Sequence, residues 1–274
     1  MGHLHVNYDN PPLVEVSIGI QFTDLPIRTA DVGDFRRLFA EQLDLTDYEE
    51  HQPLEPRIEI FEPTPRQFPS IRVETLPPLA RQWFASKDGT KLVQLQRDRL
   101  IYNWRKTPSD EYPRYPVVED GFKNSYRCFE AVIRNVLPET QQQIEITQCE
   151  LAYFNHIESN NVWGKHSEVD KVIQSLDHSA LHQHSIEDVR YGFRKRLVSD
   201  KGDSIGRVNV NVTPAFRSTD SMPLITIDLT ARGKPETPNI ADAFSFFDSC
   251  HSEIVTLFTD MTTNSMHTVW GKHK

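Results

Sequence analysis

The stretch RQWFASKDGTKLVQLQRDRLIYNWRK, residues 81–106, decides the fold class. Asp88-Gly89 is the dipeptide of a tight hairpin turn and Asp98 sits at a second reversal, so the stretch predicts three antiparallel strands. Leu100, Tyr102 and Trp104 alternate onto one face of the last strand, which predicts that face packed beneath a helix. Upstream, PPLVEVSIGIQF places Val14, Val16, Ile18 and Ile20 on one side of a half-buried strand. TADVGDFRRLFAEQL then offers Thr29 or Asp31 as an N-cap and spaces Val32, Phe35, Leu38, Phe39 and Leu43 as a short helix. RIEIF (57–61) and SIRVETL (70–76) read as brief strands. Downstream, TPSDEYPRYPVVEDG reads as a loop. It leads into FKNSYRCFEAVIRNVL, whose Phe122, Tyr126, Phe129, Val132, Ile133 and Val136 make one helical stripe ending before Pro138.

The same order recurs beyond Pro138. IEITQCELAYFNHI is a strand, SEVDKVIQSL a short helix with Val169, Val172, Ile173 and Leu176 on one face, and SIEDVRYGFRKRLV, RVNVNVTPAF and PLITIDLTARG a second three-stranded meander. NIADAFSFFDSCHSEIVTLFTDM closes the series as a long amphipathic helix capped by Asn239. The reading is an α+β protein of two similar halves, 1–138 and 139–274, packed as one unit. Each half has an antiparallel sheet with a short and a long helix.

The composition is that of a globular chain: 274 residues with 25% charged and 38% hydrophobic side chains. No apolar run approaches the roughly 18 residues of a membrane span, and MGHLHVNYDN lacks the features of a secretory signal, so a cytoplasmic setting with no membrane partner is expected. Cys128, Cys149 and Cys250 are far apart and fall in core-like segments, as buried reduced thiols do. A net charge of −9 opposes nonspecific attraction to nucleic acid.

The order strand, helix, strands, long helix, occurring twice, resembles in shape the TATA-binding protein fold, where two similar halves form one curved sheet. Two separate sheets, each wrapped on its own helix, are the alternative assembly. NPPLVEVSIGIQF, LVQLQRDRLIYNWRK and MHTVWGK together resemble a sporadically distributed, uncharacterised bacterial protein family. The matching positions are Asn10 to Glu15, Leu95, Gln96, Arg99, Leu100, Asn103, Trp104, Arg105, Trp270 and Gly271. The resemblance implies a bacterial cytoplasmic protein, from genes carried on mobile or defence-associated elements. It implies no activity, cofactor or catalytic residue.

Among candidate sites, LDHSALHQHS holds His178, His182 and His184; two histidines four apart share a helix face and form a potential metal-ligand pair, with Asp177, Glu187 and Asp188 nearby. No base is built in as in H-E-x-x-H, and a solvated helix end is the simpler reading. Alternation puts Arg190, Arg194 and Arg196 on one strand face, with Arg97, Arg99 and Arg105 in the corresponding meander of the first half. If the two groups converge, they suit phosphate or carboxylate; otherwise they are ordinary surface charges. Asp228 and Glu150 would form an acid/base pair only if folding brings them together. The signatures of P-loop, Rossmann, kinase, serine hydrolase and paired-cysteine zinc sites are absent. The sequence therefore favours a non-enzymatic interaction or regulatory protein that recognises a protein partner or self-associates, with no cofactor. A binding module for a phosphorylated ligand or nucleic acid, acting through a basic sheet face, and an unrecognised enzyme are the alternatives.

Overall fold

The computed structural model describes residues 6–61, 79–108, 112–136, 144–176, 184–199 and 201–273. In chain order the elements are β1 (Asn7–Tyr8), β2 (Leu13–Phe22), α1 (Val32–Leu43), β3 (Asp47–His51), β4 (Arg81–Ala85), β5 (Lys91–Gln96), β6 (Arg99–Arg105) and α2 (Tyr115–Val136). There follow β7 (Ile146–Glu158), β8 (Tyr191–Val198), β9 (Ser204–Phe216), β10 (Pro223–Gly233), α3 (Ile240–Met261), α4 (Asn264–Trp270) and β11 (Lys272–His273). The fold is α+β. Among the described residues nine strands form one antiparallel sheet in the order β3-β4-β5-β6-β2-β7-β10-β9-β8, so the sheet runs without a break across the boundary between 1–138 and 139–274. From the central β2–β7 pair outward, each side continues into its own meander, β6-β5-β4 on one side and β10-β9-β8 on the other.

Among the described residues, α1, α2 and α3 pack on one face of the sheet. Val16, Ile18 and Ile20 of β2 stand opposite Trp104, Tyr102 and Leu100 of β6 on one side and Tyr153, Leu151 and Cys149 of β7 on the other, and all are buried. Phe22 stacks on Phe129 of α2 at 5.3 Å, and Phe122 of α2 meets Phe247 of α3 edge-on at 5.7 Å. These aromatic contacts supply much of the apolar burial that holds the layers together. At the start of α3 the Asn239 side chain accepts the Asp242 amide at 2.9 Å, as its capping position predicts. At the hairpin tip the Asp88 carboxylate accepts Ser86 Oγ (2.6 Å) and the Thr90 amide (3.0 Å), with Gly89 in the left-handed region at φ 74°. Among the described residues no helix is long and apolar enough to cross a membrane.

Three local expectations need correcting. RIEIF is not a strand: residues 52–61 run outside the ladder. The strand after α1 is instead β3, where Tyr48 packs on Phe84 at 5.6 Å. α2 begins at Tyr115, not Phe122, because Pro116 falls in the first turn, where a missing N–H costs nothing. The predicted short helix SEVDKVIQSL forms only a 3-10 segment, His166–Lys171. Beyond it, Val172 O accepts the Thr263 amide and the Gln174 amide donates to Met261 O, so the groups that would continue the helix are bonded to the end of α3. SIRVETL lies outside the described residues.

The segments 7–10 and 270–273 meet. Asp9 N donates to Gly271 O and Asn10 N to Trp270 O, both at 3.0 Å, beside the β1–β11 pair, so the quoted N-terminal and C-terminal motifs are spatial neighbours.

All three cysteines are free and buried, and burial pushes each thiol above its ordinary range. The native protein is therefore expected to leave all three unmodified by a thiol reagent within minutes and to react at three positions in denaturant. Rapid native labelling at any of them would contradict this packing.

Candidate functional site

The sheet face turned away from the helices is polar. Counting alternate residues from the buried set, a line directly across the strands reads Gln96, Arg99, Gln21 and Gln148, and beside it Glu150, Arg232, Arg207 and Arg196. Residues 54–61 lie along this line as an extended strap. Gln96 holds Leu54 by two bonds, accepting its amide at 2.9 Å and donating to its carbonyl at 3.2 Å. Gln21 holds Arg57 the same way, at 3.2 and 2.9 Å. Between them Arg99 donates to Glu55 O at 3.0 Å. Farther along, Arg207 donates to Glu59 Oε2 at 2.8 Å and Ile60 O at 2.9 Å, Arg232 reaches Glu59 Oε1 at 3.3 Å, and Arg207 lies over the Phe61 ring at 4.6 Å.

Because the underside of the strap is satisfied by polar groups, its apolar side chains face outward. Leu54, Ile58 and Ile60 are 36%, 59% and 42% exposed. They are three of the eight large hydrophobics that are exposed among the described residues, so more than a third of that set falls within seven positions.

The predicted arginines share this sheet but do not converge. Arg99 and Arg105 are on the polar face of β6. Arg99 is buried between Gln21, Glu55 and Asp98, while Arg105 lies 3.6 Å from Glu15 and over Trp83 at 5.1 Å. Arg97 is in the β5–β6 turn and donates to Ile27 O at 3.0 Å. Arg194 and Arg196 are exposed on the polar face of β8, with Arg190 just before it. Five strand spacings separate β6 from β8, roughly 24 Å, too far for one small anion to bridge. Glu150 pairs with Arg232 at 2.6 Å while Asp228 stands opposite Phe154, so these acids face different partners about 13 Å apart along the strand. Burial raises the Asp228 carboxyl above its usual range. His178 and His182 lie outside the described residues, and His184 is exposed in a bend before β8. Among the described residues no group of three His, Cys, Asp or Glu is placed to hold a metal.

A second feature, on the helix side, had no sequence signal. α2 starts at Tyr115 beside His251, whereas α3 runs on for ten residues past His251, roughly 15 Å. The space left open beyond the start of α2 is a cavity of about 620 Å³, floored by Tyr153, Asn155 and Leu229 and partly walled by Tyr8. Tyr115 stacks on His251 at 4.0 Å and 5°, Tyr153 Oη lies 2.7 Å from His251 Nδ1, and the Tyr112 and Tyr153 hydroxyls are 3.5 Å apart. Burial pushes Tyr112 up to about 12 and Tyr153 well above the ordinary phenol range. Burial, and then the Asp248 carboxylate, also raise Tyr115. All three are therefore neutral phenols at physiological pH. No protein-family model matches this chain, and no curated protein does.

Proposed function

We propose that this chain is a non-enzymatic recognition protein that binds a protein partner through the outward ridge of the strap, Leu54, Ile58 and Ile60. The observation that carries the reading is the contrast between the two sides of one segment: an underside tied at Leu54, Glu55, Arg57, Glu59 and Ile60, and an upper side of exposed apolar residues. A ridge held in one conformation loses little entropy on association, which favours binding. The partner is a different protein presenting an apolar groove rimmed by basic groups, since a chain of net charge −9 attracts positive surfaces and repels its own copies.

An anionic ligand on the polar face is less well supported. Arg99, Arg105, Arg207 and Arg232 are each within reach of an acidic side chain, which leaves Arg190, Arg194 and Arg196 at an edge strand as the more accessible charges.

Replacing Ile58 and Ile60 together by Asp tests the reading. The expected result is loss of a stoichiometric bound protein from material purified under native conditions, with the melting temperature within about 2 °C of wild type, as surface substitutions allow. A double variant that retains the bound protein would contradict it. So would a wild-type homodimer, measured by sedimentation, that the substitutions convert to monomer.

A further inference from the structure

The cavity beyond the start of α2 does not take part in the recognition proposed above, and its chemistry points to a ligand of its own. Its volume, about 620 Å³, falls within the range of roughly 300–1,000 Å³ typical of small-molecule sites. Water alone is a poor occupant, because much of the wall is apolar: Leu13 and Leu229 on the strands, Ile254 and Phe258 on α3. The polar groups converge on one side, where Tyr112, Tyr153 and His251 form a connected series of hydroxyl and ring-nitrogen contacts. That series is neutral phenol next to imidazole, suited to exchange hydrogen bonds with a carbonyl, ether or hydroxyl oxygen. Among Lys, Arg, Asp and Glu, the lining holds only Arg114, which donates to Tyr8 O at 3.0 Å, and Asp248, both exposed. With the two signs offsetting each other and no charged side chain on the apolar floor, a net ionic ligand would lose its hydration without a matching counter-charge.

From this arrangement we infer that the cavity binds an uncharged, mostly apolar organic molecule carrying one or two hydrogen-bonding groups. The apolar body lies between β10 and α3, and the polar end meets the Tyr112–Tyr153–His251 series.

The test uses the full chain and two fluorescent probes of similar shape: N-phenyl-1-naphthylamine, which is neutral, and 8-anilino-1-naphthalenesulfonate, its anionic counterpart. The expected result is saturable binding of the neutral probe at one site per chain, with blue-shifted emission, and at least tenfold weaker binding of the anionic probe. Ser252 lines the cavity from α3 and is half-buried, so Ser252→Trp fills the space without removing core atoms. It is expected to weaken the neutral probe at least tenfold while the circular dichroism spectrum and melting temperature are retained. If that variant does not fold, Thr256→Trp, at an exposed position in the same lining, makes the same measurement. Non-saturable uptake, equal binding of both probes, or undiminished binding to the folded tryptophan variant would each overturn the inference.

Discussion

Gly233→Ala is expected to destabilise the protein by about 3 kcal/mol, the upper end of ordinary overpacking, and to lower the melting temperature by roughly 6–12 °C. Gly233 ends β10 directly opposite Gly206 of β9. A Cβ there would stand 2.2 Å from Ile205 O and 2.7 Å from both Gly206 Cα and Phe246 Cζ. Two of those atoms are backbone, and Ile205 O is itself fixed by the Lys234 amide at 3.0 Å, so relief requires the β9–β10 ladder to part. Phe246 of α3 fills the hollow that the missing side chain leaves, which couples the sheet end to the helix layer. Gly33→Ala is the internal comparison. Gly33 lies in the exposed first turn of α1 with nothing within 4 Å of a new Cβ, so alanine is expected to stabilise by about 0.5–1 kcal/mol through helix propensity and a less flexible unfolded chain. Thermal unfolding of the two variants should shift in opposite directions. A neutral Gly233→Ala would mean that β9 and β10 are not in the register described.

Trp104→Ala is expected to cost about 3–5 kcal/mol, the usual range for removing a buried aromatic. The ring is 5% exposed, its strand neighbours are Val16 and Lys91, and Tyr112 packs on it at 5.2 Å. Trp104→Phe keeps most of the apolar area and is expected to lose less than half as much. An unchanged urea midpoint for the alanine variant would show that the ring contributes nothing to folding. The neighbouring Tyr102 is the residue directly beneath α2: a Cβ on Gly121 would lie 2.4 Å from its Cζ. Trp104 lies one step farther along, under the segment that leads into the helix.

These effects show which parts of the fold were legible. Leu100, Tyr102 and Trp104 alternate because one face of β6 is packed and the other is not, and the period-two signal survives even though Asn103 and Arg99 on the opposite face are also buried. The meander at 81–105 and the β2 and β7 strands followed from the same rule, and the stripe of α2 from the 3.6-residue period of a helix. RIEIF obeys the rule too, with Ile58 and Ile60 two apart, but the pattern is inverted: the sheet beneath presents amides and guanidinium groups, so Arg57 is held through its backbone, Glu59 through its carboxylate, and the isoleucines point out. Nothing local in RIEIF distinguishes a strand in the ladder from a strap over it. The glutamines that hold the strap, Gln21 and Gln96, had no functional signature, since a carboxamide becomes a backbone clamp only when a second chain segment is laid on it. Arg207 and Arg232 escaped notice for a related reason: Arg207 is the single charge of β9, and Arg232 shares β10 only with Asp228. The cavity residues Tyr112, Tyr115, Tyr153 and His251 come from three separate stretches of sequence and meet only because α2 starts where α3 still continues. Alternation puts Arg194 and Arg196 of β8 on one face, but the distance from there to β6 depends on strand order, which alternation does not encode.

The most direct test of recognition by the strap is site-specific photocrosslinking with p-benzoylphenylalanine at position 58, with position 117 as the control. Val117 is 57% exposed, matching Ile58 at 59%, and lies in the first turn of α2 on the helix side of the sheet. The account predicts one dominant crosslinked protein from position 58, of a sequence different from this chain, and none of it from position 117. Equal crosslinking of that protein from both positions, or crosslinks from position 58 only to other copies of this chain, would contradict it.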